Sequence, residues 1–112
     1  MTRLTIRIDF AEGQRLGPGK VALLEAIEAT GTITSAAKSL GMSYRRAWLL
    51  VEETNALFRA PSVETAHGGT RGGGAQLTAF GREVVTRYRR IEEALLTAAE
   101  RDIRYLEGER AE

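Results

Sequence analysis

The sequence predicts a mostly α domain with a small β-hairpin, and three observations predict it. Residues 34–58 divide into two short helical segments around the turn Leu40-Gly41-Met42-Ser43. Residues 62–77 hold two short strand-like runs on either side of the glycine-rich stretch His67-Gly68-Gly69-Thr70-Arg71-Gly72-Gly73-Gly74. From residue 79 to about 107, apolar residues recur at helical spacing: Phe80, Val84, Tyr88, Ile91, Leu95, Ala99, Ile103 and Leu106. Helix-turn-helix, hairpin and long last helix together define a winged helix-turn-helix with a C-terminal dimerisation helix.

Each element has its own local warrant. Leu4, Ile6, Ile8 and Phe10 alternate with Thr5, Arg7 and Asp9, which predicts a half-buried strand over residues 3–10. The glycines and Pro18 of residues 11–19 predict a loop. Pro18 suits the first position of a helix that runs to Thr30 and ends at Gly31, with Val21, Leu24 and Ile27 facing inward. The next helix is expected to start near Thr34, capped by its hydroxyl. Its Ala36 and Ala37 leave room for a close helix crossing. In the third helix, Ala47, Leu50, Val51, Thr54, Leu57 and Phe58 share one face. Arg45, Leu49, Glu52 and Glu53 lie opposite, with Arg46 on the flank. Thr78 is placed to cap the last helix, roughly 43 Å long at the usual rise.

Composition narrows the function. The chain has 112 residues, enough for one ordinary core, and is expected to form a single domain over 1–112, with the helix-turn-helix at about 34–58, the wing at about 62–77 and the dimerisation helix at about 79–107. No apolar run approaches the roughly 20 residues of a membrane span, so no membrane partner is expected. Cysteine is absent and His67 is the lone histidine, which excludes thiolate chemistry and an ordinary zinc site. No nucleophile–base pair can be assembled either, so neither an enzyme nor a cofactor site is expected. The acids Glu92, Glu93, Glu100 and Asp102 read as the solvated face of a helix.

Net charge is only +1 but unevenly spread. Residues 34–76 carry Lys38, Arg45, Arg46, Arg59 and Arg71 against Glu52, Glu53 and Glu64. Residues 77–90 carry Arg82, Arg87, Arg89 and Arg90 against Glu83, while the chain beyond Ile91 is acidic. A polyanion needs such a local footprint rather than a large total charge. Ser43-Tyr44-Arg45-Arg46 opens the third helix, where arginine can bond bidentately to guanine and free backbone donors can meet a phosphate. Leu49, outermost on the same face, suits a thymine methyl. Glu52 and Glu53 would be repelled by phosphate, so contact is expected only from the first two turns. Thr70 and Arg71 at the wing tip suit the DNA backbone or minor groove. The glycine run lacks the Lys-Ser/Thr ending and strand-to-helix setting of a phosphate-cradling loop. Tyr44 and Trp48 fit core or interface packing better than a stacking platform for an unpaired base. The last helix has more apolar surface than one domain covers. Pairing with a second copy would bury Ile91, Leu95, Ala99, Ile103 and Leu106; the alternative is that it folds back on the N-terminal strand.

These residues resemble the N-terminal domain of the ModE-type molybdate-responsive transcription regulators, a branch related to LysR-type helix-turn-helix domains. The resemblance rests on ITSAAKSLGMSYRRAW, the LVEETN stretch, the wing GGTRGGGAQLTAFG and the basic run Arg82–Arg90. It implies a cytoplasmic homodimer that binds double-stranded DNA at a near-palindromic operator, linked to molybdate transport or molybdenum metabolism genes. It carries DNA contact to Thr34, Ser35, Ser43, Tyr44, Arg45, Arg46 and the wing. In full-length members a C-terminal Mop-type domain holds the oxyanion, so no molybdate site is expected within these residues. Whether the chain is a stand-alone regulator or a fragment stays open. So do two other classes, a protein-interaction module acting through the long helix and an RNA-binding winged helix.

Overall fold

The computed structural model describes residues 2–66 and 74–111. The chain opens with an antiparallel hairpin of β1 (Ile8–Ala11) and β2 (Gln14–Leu16), with Ile8 opposite Leu16 and Asp9 opposite Arg15. This corrects two expectations: the strand is shorter than residues 3–10, and the anticipated loop at 11–19 contains its partner. The reason is the turn at Glu12-Gly13. Gly13 takes φ 79, a conformation that a Cβ disfavours, and it sends the chain straight back along itself. Residues 2–7 join no sheet.

Helix α1 (Pro18–Thr30) has the expected bounds, with Pro18 in its first turn and Gly31 left-handed at its end, donating its N–H to the Ile27 carbonyl at 2.8 Å. Val21, Leu23, Leu24 and Ile27 are buried. Helix α2 (Ile33–Ser39) starts earlier than Thr34, because Thr32 and not Thr34 is its cap: the Thr32 hydroxyl accepts from the Ser35 N–H at 2.9 Å. Packing decides between the two threonines. A cap at Thr32 puts Ile33 inside the helix and into the core, whereas a cap at Thr34 would strand that side chain outside it. Ala36 and Ala37 are buried where α1 and α3 cross α2, as their small size predicts. Gly41, at φ 68, turns the chain into α3 (Tyr44–Leu57).

Helix α3 buries Ala47, Leu50, Val51 and Thr54 and half-buries Leu57 and Phe58, the face read from the sequence. Thr54 is tolerated there because its hydroxyl donates to the Leu50 carbonyl at 2.7 Å. A second hairpin follows, β3 (Val63–Thr65) with β4 (Ala75–Leu77), Val63 opposite Leu77 and Thr65 opposite Ala75. Helix α4 (Ala79–Gly108) is capped by the Thr78 hydroxyl, which accepts from the Gly81 N–H at 2.9 Å.

The start of α4 is pinned to the chain entering the hairpin. The Thr78 N–H donates to the Ser62 carbonyl at 3.0 Å, and its hydroxyl donates to the Pro61 carbonyl at 2.7 Å. A Cβ on Gly81 would lie 2.1 Å from the Ser62 carbonyl oxygen, so only glycine allows this approach. Phe58 bridges Phe10 and Phe80 by edge contacts, with centroids 5.6 and 5.4 Å apart. About two turns further along α4, Tyr88 is 1% exposed and its hydroxyl donates to the Ile6 carbonyl at 2.6 Å, fastening residues 2–7 to the helix.

Beyond Tyr88 the helix leaves the body of the protein. The radius of gyration is 16.5 Å, against about 13 Å for a compact chain of this length. Along this arm Ile91, Leu95 and Leu106 are 40%, 44% and 63% exposed, Ala99 and Ile103 less so. Ile103 and Leu96 share a shallow groove with Thr2 and Leu4, so the N-terminal segment runs beside one edge of the arm.

Gly81→Ala tests the pinning. The added methyl must push the Ser62 backbone away, and unfolding in urea should show a loss of about 1–3 kcal/mol or more, the usual cost of overpacking. Wild-type stability in this variant would mean that the contact is not close.

Candidate nucleic-acid interface

Helix α3 presents its N-terminal turn at the surface because its cap and first residues have no core to enter. The Ser43 hydroxyl accepts from the Arg46 N–H at 3.1 Å, which fixes where the helix begins. Tyr44, Arg45, Arg46, Trp48 and Leu49 are exposed, while Ala47 between them is fully buried. Thr34 and Ser35 are exposed on the first turn of α2.

A cleft of about 350 Å³ separates these helices from the hairpin. It is lined by Ile33, Thr34, Tyr44 and Trp48 on one side and by Thr65, Ala66, Gly74 and Ala75 on the other. The structure thus brings Thr34 and Tyr44 together at the base of the wing. Trp48, for which core or interface packing was expected, is not in the core but lines this seam, 41% exposed. Arg45 and Leu49 project on the outer face of α3, away from the seam. Thr70 and Arg71, the wing-tip residues expected to touch DNA, lie outside the described residues, as does His67.

Asn55 holds the wing against α3, and sequence reasoning did not single it out. Its carboxamide oxygen accepts from the Ser62 N–H at 2.8 Å and the Val63 N–H at 3.0 Å, and its amide donates to the Val63 carbonyl at 3.1 Å. Three backbone groups at the edge of β3 are satisfied by one side chain. The other strand is tied by the Ala75 N–H to the Gly31 carbonyl at 2.8 Å. An asparagine near the end of a helix, just before a strand, was the signal available in the LVEETN stretch.

Charge is sorted between the helices. On α4, Arg89 grips Glu25 of α1 with two hydrogen bonds of 2.9 and 2.6 Å and reaches Glu92 at 2.6 Å. Those bonds, to Glu25 first, hold its guanidinium even further above neutrality than usual. Arg87 pairs with Glu83 at 2.6 Å, and Arg82 donates to the Leu77 carbonyl at 3.1 Å. Much of the basic run read at the start of the last helix is therefore consumed within the chain. Lys38, Arg45 and Arg46 are different. Among the described residues none of them has a carboxylate partner. Unpaired positive charge thus includes α2 and the first turn of α3, besides Arg3, Arg15, Arg59, Arg90, Arg101 and Arg110 elsewhere on the described surface. Among the described residues no cluster of three or more potential ligands could hold a metal ion, and no helix is long and apolar enough to cross a membrane.

Helix-turn-helix, two-stranded wing and exposed arginines on the second helix define a winged helix-turn-helix, a DNA-binding fold and not that of an enzyme. A crystal structure of CbnR_DBD in complex with DNA has the same fold, with a TM-score of 0.60 and 23% identity, covering 79% of this chain and 95% of that one. In sequence the chain is a homologue of the ModE and Mop proteins. It is 48% identical over 80 residues to the molybdenum-pterin-binding protein MopB of Rhodobacter capsulatus, covering 71% of this chain and 30% of that protein. It is 40% identical over 94 residues to the molybdenum transport protein ModE of Azotobacter vinelandii, covering 84% and 35%. It is also 41% identical over 71 residues to the DNA-binding transcriptional dual regulator ModE of Escherichia coli K12, covering 63% and 27%. The chain spans about a third of the length of these relatives. No protein-family model matches it.

Asn55→Ala should separate the wing from α3. It leaves two backbone donors at the edge of β3 without an acceptor, at a cost of about 1–3 kcal/mol. Hydrogen exchange should speed up at Ser62 and Val63 while the buried amides of α1 keep their protection. Unchanged exchange at both positions would remove the carboxamide from this role.

Proposed function

We propose that the chain is the DNA-binding part of a transcription regulator, which reads duplex DNA with the first two turns of α3 in the major groove. The observation that carries this is the exposed, unpaired Arg45 and Arg46 on a capped helix start, beside a wing base and next to exposed Thr34 and Ser35. Thr34, Ser35, Ser43 and Tyr44 are then backbone contacts, Arg45, Arg46 and Leu49 meet base edges, and Thr70 and Arg71 extend the contact through the wing. The names of the relatives support the regulator class, and they suggest genes of molybdenum transport as targets.

The finer part of the proposal is a homodimer paired along α4 on a near-palindromic operator. Its support is the exposed stripe Ile91, Leu95 and Leu106, with Ala99 between them and Ile103 at its edge. One subunit offers one recognition helix, whereas a two-fold site needs two, about one helical turn of DNA apart or a multiple of it.

Arg45→Ala should weaken binding to the operator by about 1–3 kcal/mol and relax the preference at one base. Arg71→Ala should instead lower affinity for all duplexes and flatten the salt slope by about one. Fluorescence anisotropy on specific and scrambled duplexes, with single strands and RNA as competitors, distinguishes the two. If both variants bind every nucleic acid as the wild type does, or if RNA competes best, the duplex-reading model is wrong.

Leu95→Glu probes the dimer. Burying Leu95 in an interface would give on the order of 1.5–3 kcal/mol per copy, and a buried glutamate would reverse that. Sedimentation should show a monomer with unchanged circular dichroism, and operator affinity should fall while weak non-specific binding persists. A wild-type monomer that still protects a two-fold symmetric site would rule out the α4 interface.

A further inference from the structure

Two adjacent glutamates on α3 have opposite fates. Glu53 pairs with Lys20 of α1 at 3.3 Å, and Lys20 is itself held by the Arg15 carbonyl at 2.9 Å with its side chain only 10% exposed. Glu53 is therefore a tether between two helices. Glu52 is exposed and has no cation and no hydrogen-bond partner among the described residues. Nothing in the fold explains it.

Its place on the helix does. Arg45, Leu49 and Glu52 fall at i, i+4 and i+7, one line along the outer face of α3, opposite the buried line of Ala47, Leu50 and Thr54. Glu52 stands about 10 Å along the axis from Arg45. Two turns of helix laid in a major groove about 12 Å wide keep such a residue within reach of base edges or of the groove wall. Against the wall, a carboxylate meets phosphate and repels it. Against a base edge, it can only accept a hydrogen bond, and the exocyclic amine of cytosine is the matching donor.

We propose that Glu52 is a specificity-determining residue of this interface: its unneutralised carboxylate penalises docking on arbitrary duplex and accepts from a cytosine N4 amine in the cognate site. This rests on the DNA-reading function proposed above. It extends the contact proposed above from the first two turns of α3 into the third. Arg45 and Glu52 then divide the work, the arginine supplying attraction to guanine and the glutamate rejecting sites that lack a donor at its level. Rejection of this kind gains specificity by raising the cost of the wrong partner.

The test uses the full chain with Glu52→Gln and Glu52→Ala, in anisotropy titrations against operator and scrambled duplexes and in selection from a randomised duplex pool. Both variants should bind scrambled duplex more tightly, on the order of tenfold for removal of one like charge facing phosphate. Both should lose most discrimination between operator and scrambled DNA. In the pool, Gln should exchange one cytosine preference for adenine, which it can bond bidentately, and Ala should lose preference at that position. Thermal unfolding should not change, because the side chain is exposed and has no ion-pair or hydrogen-bond partner among the described residues. If the wild type binds no duplex, the DNA-reading function and this inference fall together. If the wild type binds its site and both variants keep the same affinities and base preferences, the inference alone is overturned.

Discussion

The approach of Gly81 to the Ser62 carbonyl is the constraint on which the rest of the structure depends. Four elements meet there: the end of α3 through Asn55, the entry to β3, the exit from β4 and the first turn of α4. The Ser62 backbone is engaged on both sides, its N–H by Asn55 and its carbonyl by Thr78. With both backbone groups committed, the segment has little freedom to slide, and the direction in which α4 leaves follows from where α3 ends. Any larger residue at position 81 would open this junction and tilt the long helix away from the wing. The exposed arm of α4 and the exposed start of α3 are thus linked through this one junction.

A second fastening lies further along. Arg89 bridges α4 to α1 through Glu25, and Tyr88 bridges it to the N-terminal segment through the Ile6 carbonyl. The ion pair is partly exposed, so its worth lies more in orientation than in free energy. Burial raises the Tyr88 phenol above its ordinary value of 10.0, with Glu92 adding to the shift and Arg89 opposing it. A raised phenol favours the protonated folded state, so this contribution is complete below pH 10 and fades as alkali ionises the hydroxyl. The bond that fastens the N-terminal segment is therefore intact throughout the neutral range.

Most of this architecture was legible in the sequence because it follows from local chemistry. Pro18 and Gly31 bound α1, Ser43 and Thr78 cap α3 and α4, and the buried face of α3 is a simple helical period. What was not legible depends on partners distant in sequence. The strand Gln14–Leu16 hides among glycines and a proline, and only its pairing with β1 makes it a strand. Thr32 and Thr34 are equal as caps until the burial of Ile33 chooses between them. Asn55 reads as one more polar residue near a helix end, since its three partners lie seven and eight residues ahead on the next strand. At the interface, residue types suggested exposure for Arg45 and Leu49 from periodicity alone, but the same count could not tell that Arg82, Arg87 and Arg89 are occupied within the chain.

That sorting of charge bears directly on how the proposed complex would form. A run of basic residues on α4 would pull DNA toward the arm and away from α3, and the pairing of Arg87 and Arg89 with Glu25, Glu83 and Glu92 reduces that competition, leaving Arg90 free of a carboxylate among the described residues. Lys38, Arg45 and Arg46 keep their charge free on α2 and the first turn of α3, which would help to orient an approaching duplex toward that face. If two copies pair along α4, the Gly81–Ser62 junction and the Arg89–Glu25 bridge set the angle between each recognition helix and the common axis. The spacing of the two helices would then be a property of the folded subunit, with little left for the DNA to adjust. A regulator built this way discriminates half-site separation as well as base sequence, because a duplex with the wrong spacing can satisfy only one α3 at a time.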